Sequence, residues 1–199
     1  MYEDIVISDS VKEQLSLKGQ KALITGGAGF LGLQFAEAIY EMGGMPILVD
    51  NNNSQLKIAK KHLQKAGVKN YKSYIVDITD EKKCIKVFNR IWIENNGIEI
   101  LINSAALTKS GIDRGQKDFY AKFEDTNQAL WEAGIKINLT ATQLTCKILG
   151  GKMAQNGGGS IINIASDIGV ISPNQNIYKP DDNGYKGVDF NSPAFYAIS

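Results

Sequence analysis

The stretch that most constrains this chain is Lys21-Ala22-Leu23-Ile24-Thr25-Gly26-Gly27-Ala28-Gly29-Phe30-Leu31-Gly32, where an apolar run breaks into glycines. An amphipathic segment, Phe30 to Met42, follows at once. That order predicts a strand, a tight turn and a helix start. Glycines also punctuate ordinary turns, so the motif needs its context, and here it has it. Backbone N–H groups and the positive end of the helix dipole converge at such a turn, where a dinucleotide pyrophosphate fits. Gly26 and Gly29 let the backbone approach phosphates with no Cβ in the way, and Gly32 lets helix and strand pack closely. Phe30 and Leu31, inside the same turn, complete this part of the candidate cofactor set.

Met45-Pro46-Ile47-Leu48-Val49-Asp50 reads as a second strand that ends in a carboxylate. A carboxylate there can accept hydrogen bonds from the ribose hydroxyls of the adenosine half. It would repel a 2′-phosphate, and Asn51, Asn52 and Asn53 offer no positive charge. The expected cofactor is therefore NAD rather than NADP. The alternative for Asp50 is a turn residue or helix N-cap.

The 199 residues predict one domain, residues 18–199, behind a short extension over 1–17. A net charge of +1, with both signs interspersed, gives no reason to expect nucleic-acid or membrane partners. Cys84 and Cys146 lack metal-ligand spacing and read as thiols in a reducing compartment. The polar start lacks the basic n-region and apolar core of a secretory signal, so the expected location is cytoplasmic.

Further along, Ser54 to Ala66 is expected as a helix whose only histidine, His62, sits on a solvated lysine-rich face. Tyr71 to Val76 is a third strand, leading to Asp77-Ile78-Thr79-Asp80. Two roles are open to Asp77: it meets an adenine amino group, or it or Thr79 caps the helix Glu81 to Glu94. Ile98 to Ile102 is a fourth strand, followed by Asn103-Ser104-Ala105-Ala106, whose small residues let a cofactor pass close. A polar loop, Thr108 to Thr126, precedes a long helix, Asn127 to Leu149. Ser160 to Ala165 is a fifth strand, residues 167 to 194 a second polar loop, and Phe195 to Ser199 a helix start. Alternating strands and helices imply an α/β fold: a doubly wound parallel sheet with helices on both faces.

Taken in order, these motifs resemble the short-chain dehydrogenase/reductase family from about Lys18 onward. The resemblance rests on the glycine turn, Asp50, Asp77-Ile78-Thr79, Asn103-Ser104-Ala105-Ala106, Asn138, Ser166 and Tyr196-Ala197-Ile198-Ser199. The spacing Gly26-x-x-Gly29-x-x-Gly32 looks like the extended branch, rich in nucleotide-sugar enzymes, while the later motifs look like the compact branch. The resemblance implies a Rossmann-like fold whose C-terminal part is missing from this chain. The implied cofactor-binding residues are Gly26, Gly29, Phe30, Leu31, Gly32, Asp50, Asp77, Ile78, Asn103 and Ala105.

In that family a tyrosine is the general acid/base for hydride transfer between a carbinol and a nicotinamide. A serine hydrogen-bonds the reacting oxygen, and an asparagine on the long helix supports a water relay. Carried over, these roles fall on Tyr196, Ser166 and Asn138. A free phenol ionises near pH ~10, so half-ionisation near neutrality needs roughly 4 kcal/mol of stabilisation. In the family a lysine four residues beyond the tyrosine supplies part of it. That position falls just past Ser199, so a protein ending there is expected to show little or no dehydrogenase activity. Tyr178 and Tyr185 are followed one helical turn later by Asp182 and Asp189 rather than lysine, which keeps Tyr196 as the candidate and makes residues 167 to 194 an insertion.

The insertion carries Asp167, Asn174, Gln175, Asn176, Asp181, Asp182, Asn183 and Asp189, which suits a polyhydroxylated small-molecule substrate or simply a solvated loop. The leading expectation is an NAD-dependent oxidoreductase acting on a secondary alcohol or ketone. The alternatives are a dinucleotide-binding module without catalysis, and a nucleotide-sugar epimerase or dehydratase. The resemblance also implies a homo-oligomer paired through the long helix and the helix near Phe195.

Overall fold

A computed structural model describes residues 8–107, 117–171, 174–178 and 191–199. Five parallel strands form one sheet in the order β3-β2-β1-β4-β5. They are β1 Lys21–Thr25, β2 Met45–Asp50, β3 Lys72–Ile75, β4 Ile100–Asn103 and β5 Ser160–Asn163. Before the sheet lies α1, Asp9–Leu15, capped by the Ser8 hydroxyl and burying nothing.

Alternation along each strand sends apolar side chains to both faces. Ala22, Ile24, Leu48, Ile100 and Ile102 pack on one face with α2 (Phe30–Glu41) and α3 (Asn53–Lys65). Leu23, Ile47, Val49 and Leu101 pack on the other with α4 (Glu81–Glu94) and the long helix. α4 has the bounds expected from the sequence, and its buried stripe is Cys84, Phe88 and Ile91.

The long helix runs further than expected, past Leu149 to Gln155. It comprises α5 (Gln128–Ile135), α6 (Ala141–Thr145) and α7 (Gly151–Gln155), joined by wide π turns over Lys136–Thr140 and Cys146–Gly150. Backbone dihedrals stay helical through both turns, so nothing local stops it. A short α8, Ala194–Ala197, follows Pro193.

β1 is the topological switch. The chain leaving β1 enters α2 on one face, while the chain leaving its neighbour β4 leads to the long helix on the other. The carboxyl ends of β1 and β4 therefore open a crevice.

Candidate functional site

The crevice starts where β1 ends. Gly26 has φ +63°, and a Cβ there would lie 2.8 Å from the Ala105 Cα across the β1–β4 gap. A Cβ on Gly32 would overlap the Gly26 carbonyl oxygen and come within 2.8 Å of the Gly27 Cα. Gly27 donates to the Val49 carbonyl (3.0 Å) and Gly29 to that of Gly26 (2.9 Å), which closes the turn. The glycines thus permit a compact hairpin of backbone that any side chain would pry open.

The helix that follows is left uncapped by side chains. Ser8, Asn52, Asp80 and Asn127 each cap a helix with a side-chain oxygen, but the N-cap of α2 is Gly29, which has none to offer. Its first N–H groups, beside the glycines, receive no side-chain cap. That arrangement, a cradle bare of Cβ atoms at a helix start, fits a dinucleotide pyrophosphate. The side chains of Phe30 and Leu31 are exposed, so only their backbone belongs to the cradle.

Asp50 stands at the end of β2 and binds the turn. Its Oδ2 accepts from the Ala28 N–H (3.2 Å) and its Oδ1 from the Asn52 N–H (2.9 Å). The N-cap of α3 is Asn52, accepting from Gln55 (3.1 Å). Each Asp50 oxygen keeps a lone pair for a further donor.

Asp77 accepts from both the N–H (2.9 Å) and the hydroxyl (2.8 Å) of Thr79. Of the two roles left open for Asp77 and Thr79, the helix cap belongs instead to Asp80, which accepts from the Lys83 N–H. That N–H and the Lys83 ammonium hold the Asp80 carboxyl below its ordinary value, and Asp80 raises Lys83 in return. Ile78 packs against the α4-side core.

Asn103 turns its side chain inward. Its side chain is not offered to the crevice; it is buried between β4, β5 and the long helix. Its Nδ2 donates to Asn163 (2.9 Å) and to the Cys146 sulfur (3.3 Å), and its Oδ1 accepts from Thr145 (2.7 Å). Side chains alternate faces, and register with β5 puts Asn103 beside Asn163.

Sequence reasoning missed Thr25. Its buried hydroxyl accepts from the N–H groups of Ser104 (3.2 Å) and Ala105 (3.3 Å), which stitches the end of β1 to the chain leaving β4. The available signal was a hydroxyl at the last strand residue before the glycines, with small residues after the neighbouring strand.

The three candidate catalytic residues lie beyond the same ends of β4 and β5. Asn138 sits in the first π turn, a distortion that often marks functional sites. Its Oδ1 accepts from the Leu107 N–H (2.7 Å), and its Nδ2 donates to the Ser199 hydroxyl (3.0 Å). Ser166 follows β5, half-buried, its hydroxyl donating to Asp167 (3.2 Å). Tyr196 is half-buried on α8, which packs on α5 where Phe195 fills the space beside Gly134. Asn138 and the helix bearing Tyr196 are thereby brought together.

Several other readings fall elsewhere. His62 Nε2 meets the Glu37 carboxylate (2.5 Å), so this face is paired rather than merely solvated. The Cys84 thiol, buried and bonded to the Asp77 carbonyl, is pushed up to about 11 by burial first and then by Asp77, Asp80 and Glu81. Asp181, Asp182, Asn183, Tyr185 and Asp189 of the insertion, and the Tyr178 side chain, lie outside the described residues. Among the described residues no helix is long and apolar enough to cross a membrane.

A sequence profile described as short chain dehydrogenase matches residues 20–179. The chain belongs to the short-chain dehydrogenase/reductase family. A short-chain dehydrogenase/reductase of Gibberella zeae is 34% identical over 153 residues, which is 76% of this chain and 53% of the relative. The D-threitol dehydrogenase of Mycolicibacterium smegmatis is 27% identical over 169 residues, covering 84% of this chain and 60% of the enzyme. The crystal structure of an NAD⁺-bound xylitol dehydrogenase superposes with a TM-score of 0.67 at 26% identity, over 79% of this chain and 56% of that one. The short-chain dehydrogenase/reductase fold seen here thus spans little more than half the length of these three relatives.

Proposed function

We infer that this chain carries the cofactor cradle and catalytic residues of an NAD-dependent oxidoreductase that interconverts a secondary alcohol and a ketone on a polyol or sugar. The observation that carries the reading is the Cβ-free turn at Gly26–Gly32 with Asp50 locked against it through the Ala28 N–H. The likeness to enzymes named for threitol and xylitol supports a polyhydroxylated substrate.

When bound, a nicotinamide dinucleotide supplies the two-electron acceptor for the carbinol hydride. The first N–H groups of α2 hold its pyrophosphate, and the free lone pairs of Asp50 receive its ribose hydroxyls. Ser166 turns its hydroxyl from Asp167 to the substrate oxygen and orients it. Tyr196, as phenolate, takes the carbinol proton through its Oη and returns it in the reverse direction. Asn138 keeps the chain after β4 and α8 in register through its two hydrogen bonds. The protein works in the cytoplasm, as a homo-oligomer paired through the long helix.

Thermal unfolding with saturating NADH and, separately, NADPH tests the cradle. Ligand at a hundred times its Kd adds about 2.7 kcal/mol, or roughly 5 to 10 °C for a chain of this size. A shift with NADH alone is expected. A larger shift with NADPH would overturn the role of Asp50, and no shift with either would overturn the reading. Turnover of D-threitol and xylitol, with Tyr196→Phe as the inactive control, tests the chemistry.

A further inference from the structure

The carboxamide of Asn138 uses one hydrogen bond on each of its polar atoms, and both run to other segments of the chain. Its oxygen takes the Leu107 N–H (2.7 Å), and its nitrogen is directed at the Ser199 hydroxyl (3.0 Å). Ser199 in turn donates its own proton to the Phe195 carbonyl (2.5 Å), one turn back along the chain. The chain of bonds runs Leu107 N–H, Asn138 carboxamide, Ser199 hydroxyl, Phe195 carbonyl. It links the segment leaving β4 to the long helix and then to the far end of α8.

α8, Ala194–Ala197, has no side-chain N-cap. Two contacts locate it on the long helix. Phe195 fills the gap left by Gly134, which fixes how close the helices come. An apolar ring against a glycine does not fix how far α8 slides or turns, since packing of that kind is non-directional. The hydroxyl of Ser199 supplies the directional contact, because it must both accept from Asn138 and donate to Phe195.

We propose that Ser199 is a positioning residue, whose hydroxyl, bridging Asn138 and the Phe195 carbonyl, sets the rotation of α8 and hence the place of the Tyr196 hydroxyl. The catalytic consequence rests on the function proposed above; the positioning itself does not. Ser199→Ala removes the bridge and leaves the Gly134–Phe195 contact in place. Ser199→Thr keeps a hydroxyl that can make both bonds.

The test uses the full chain with ring-labelled tyrosine, the Tyr196 resonance being identified by its loss in Tyr196→Phe. Ser199→Ala is expected to move that resonance while those of Tyr40, Tyr71 and Tyr74 stay in place, and Ser199→Thr is expected to restore it. Where turnover is measured, Ser199→Ala should lower kcat about 10-fold or more with KM held within about two-fold. An unmoved Tyr196 resonance in Ser199→Ala would overturn the proposal, as would a Thr variant that behaves like the Ala variant. If no alcohol is turned over, or if Tyr196→Phe stays active, the enzymatic reading fails while the resonance still decides whether Ser199 positions α8.

Discussion

Thr25→Val is the most informative single change outside the catalytic residues. The substitution keeps the shape of the side chain and replaces its hydroxyl by a methyl group. Thr25 is 1% exposed, and its oxygen accepts from the N–H groups of Ser104 and Ala105 at 3.2 and 3.3 Å. Valine leaves both N–H groups without that acceptor. An orphaned buried donor costs about 1 to 3 kcal/mol. Both bonds are long and both donors only half-buried, so the lower part of that range applies, about 2 to 3 kcal/mol for the pair. At roughly 2 to 4 °C per kcal/mol, the midpoint of thermal unfolding should fall by about 5 to 10 °C. Thr25→Ser keeps the acceptor and loses one methyl group, which costs about 1 kcal/mol. Circular dichroism melts of the two variants, with and without NADH, separate the effects. The valine variant should also lose part of its NADH-induced shift, since Ala105 lines the crevice against Gly26. Equal midpoints for valine and serine variants would refute the reasoning and show that the hydroxyl contributes nothing to the β1–β4 junction.

Gly32→Ala places a methyl group against the Gly26 carbonyl and should abolish the NADH shift while lowering stability by about 1 to 3 kcal/mol, read by the same melts. Gly134→Ala drives a methyl group into the Phe195 ring and should displace α8; adding Phe195→Leu should recover much of the lost stability in urea unfolding. Cys84 should resist a thiol reagent at pH 8 in the folded chain and react once urea unfolds it. Its thiol is raised to about 11 when folded against an unfolded value near ~8.5, so the folded state holds the proton longer. Stability from this group is complete below the unfolded value and declines as pH rises from there toward 11, and Cys84→Ala should flatten that decline in melts run between those limits. On the acid side Asp80, held below its ordinary value by Lys83, contributes above the unfolded carboxylate value and loses that contribution as pH falls through its folded value; Asp80→Asn should cap α4 without that acid dependence.

Elements were legible wherever their signals were local. β2 and α4 occupy the residues expected of them, because a continuous apolar run ending in Asp50 and an apolar stripe behind an acidic start each lie within or next to the segment, although the capping residue is Asp80 rather than Asp77 or Thr79. The glycine turn was equally plain: the Gly26 φ favours glycine, and a Cβ at Gly26 or Gly32 would run into Ala105 or the Gly26 carbonyl. The α/β order and the family resemblance followed from the succession of such segments, and the sheet order and the match over residues 20–179 agree with both.

Partner choice was not legible, because it is made across the sheet. Thr25 meets N–H groups 79 and 80 positions away, Asn103 meets Asn163 at 60, and Asn138 meets Ser199 at 61. Which polar atoms come within 3 Å of one another depends on strand register and on how deeply each helix beds on its face. Packing of the two apolar layers sets both, and no single segment encodes it. The chain's own pattern therefore specifies where a phosphate cradle forms. Only after folding does Asn103 turn inward as a clasp, Thr25 join β1 to the β4 exit, and Ser199 come to bridge Asn138 and α8, because a hydrogen bond needs its partners placed to within a few tenths of an ångström.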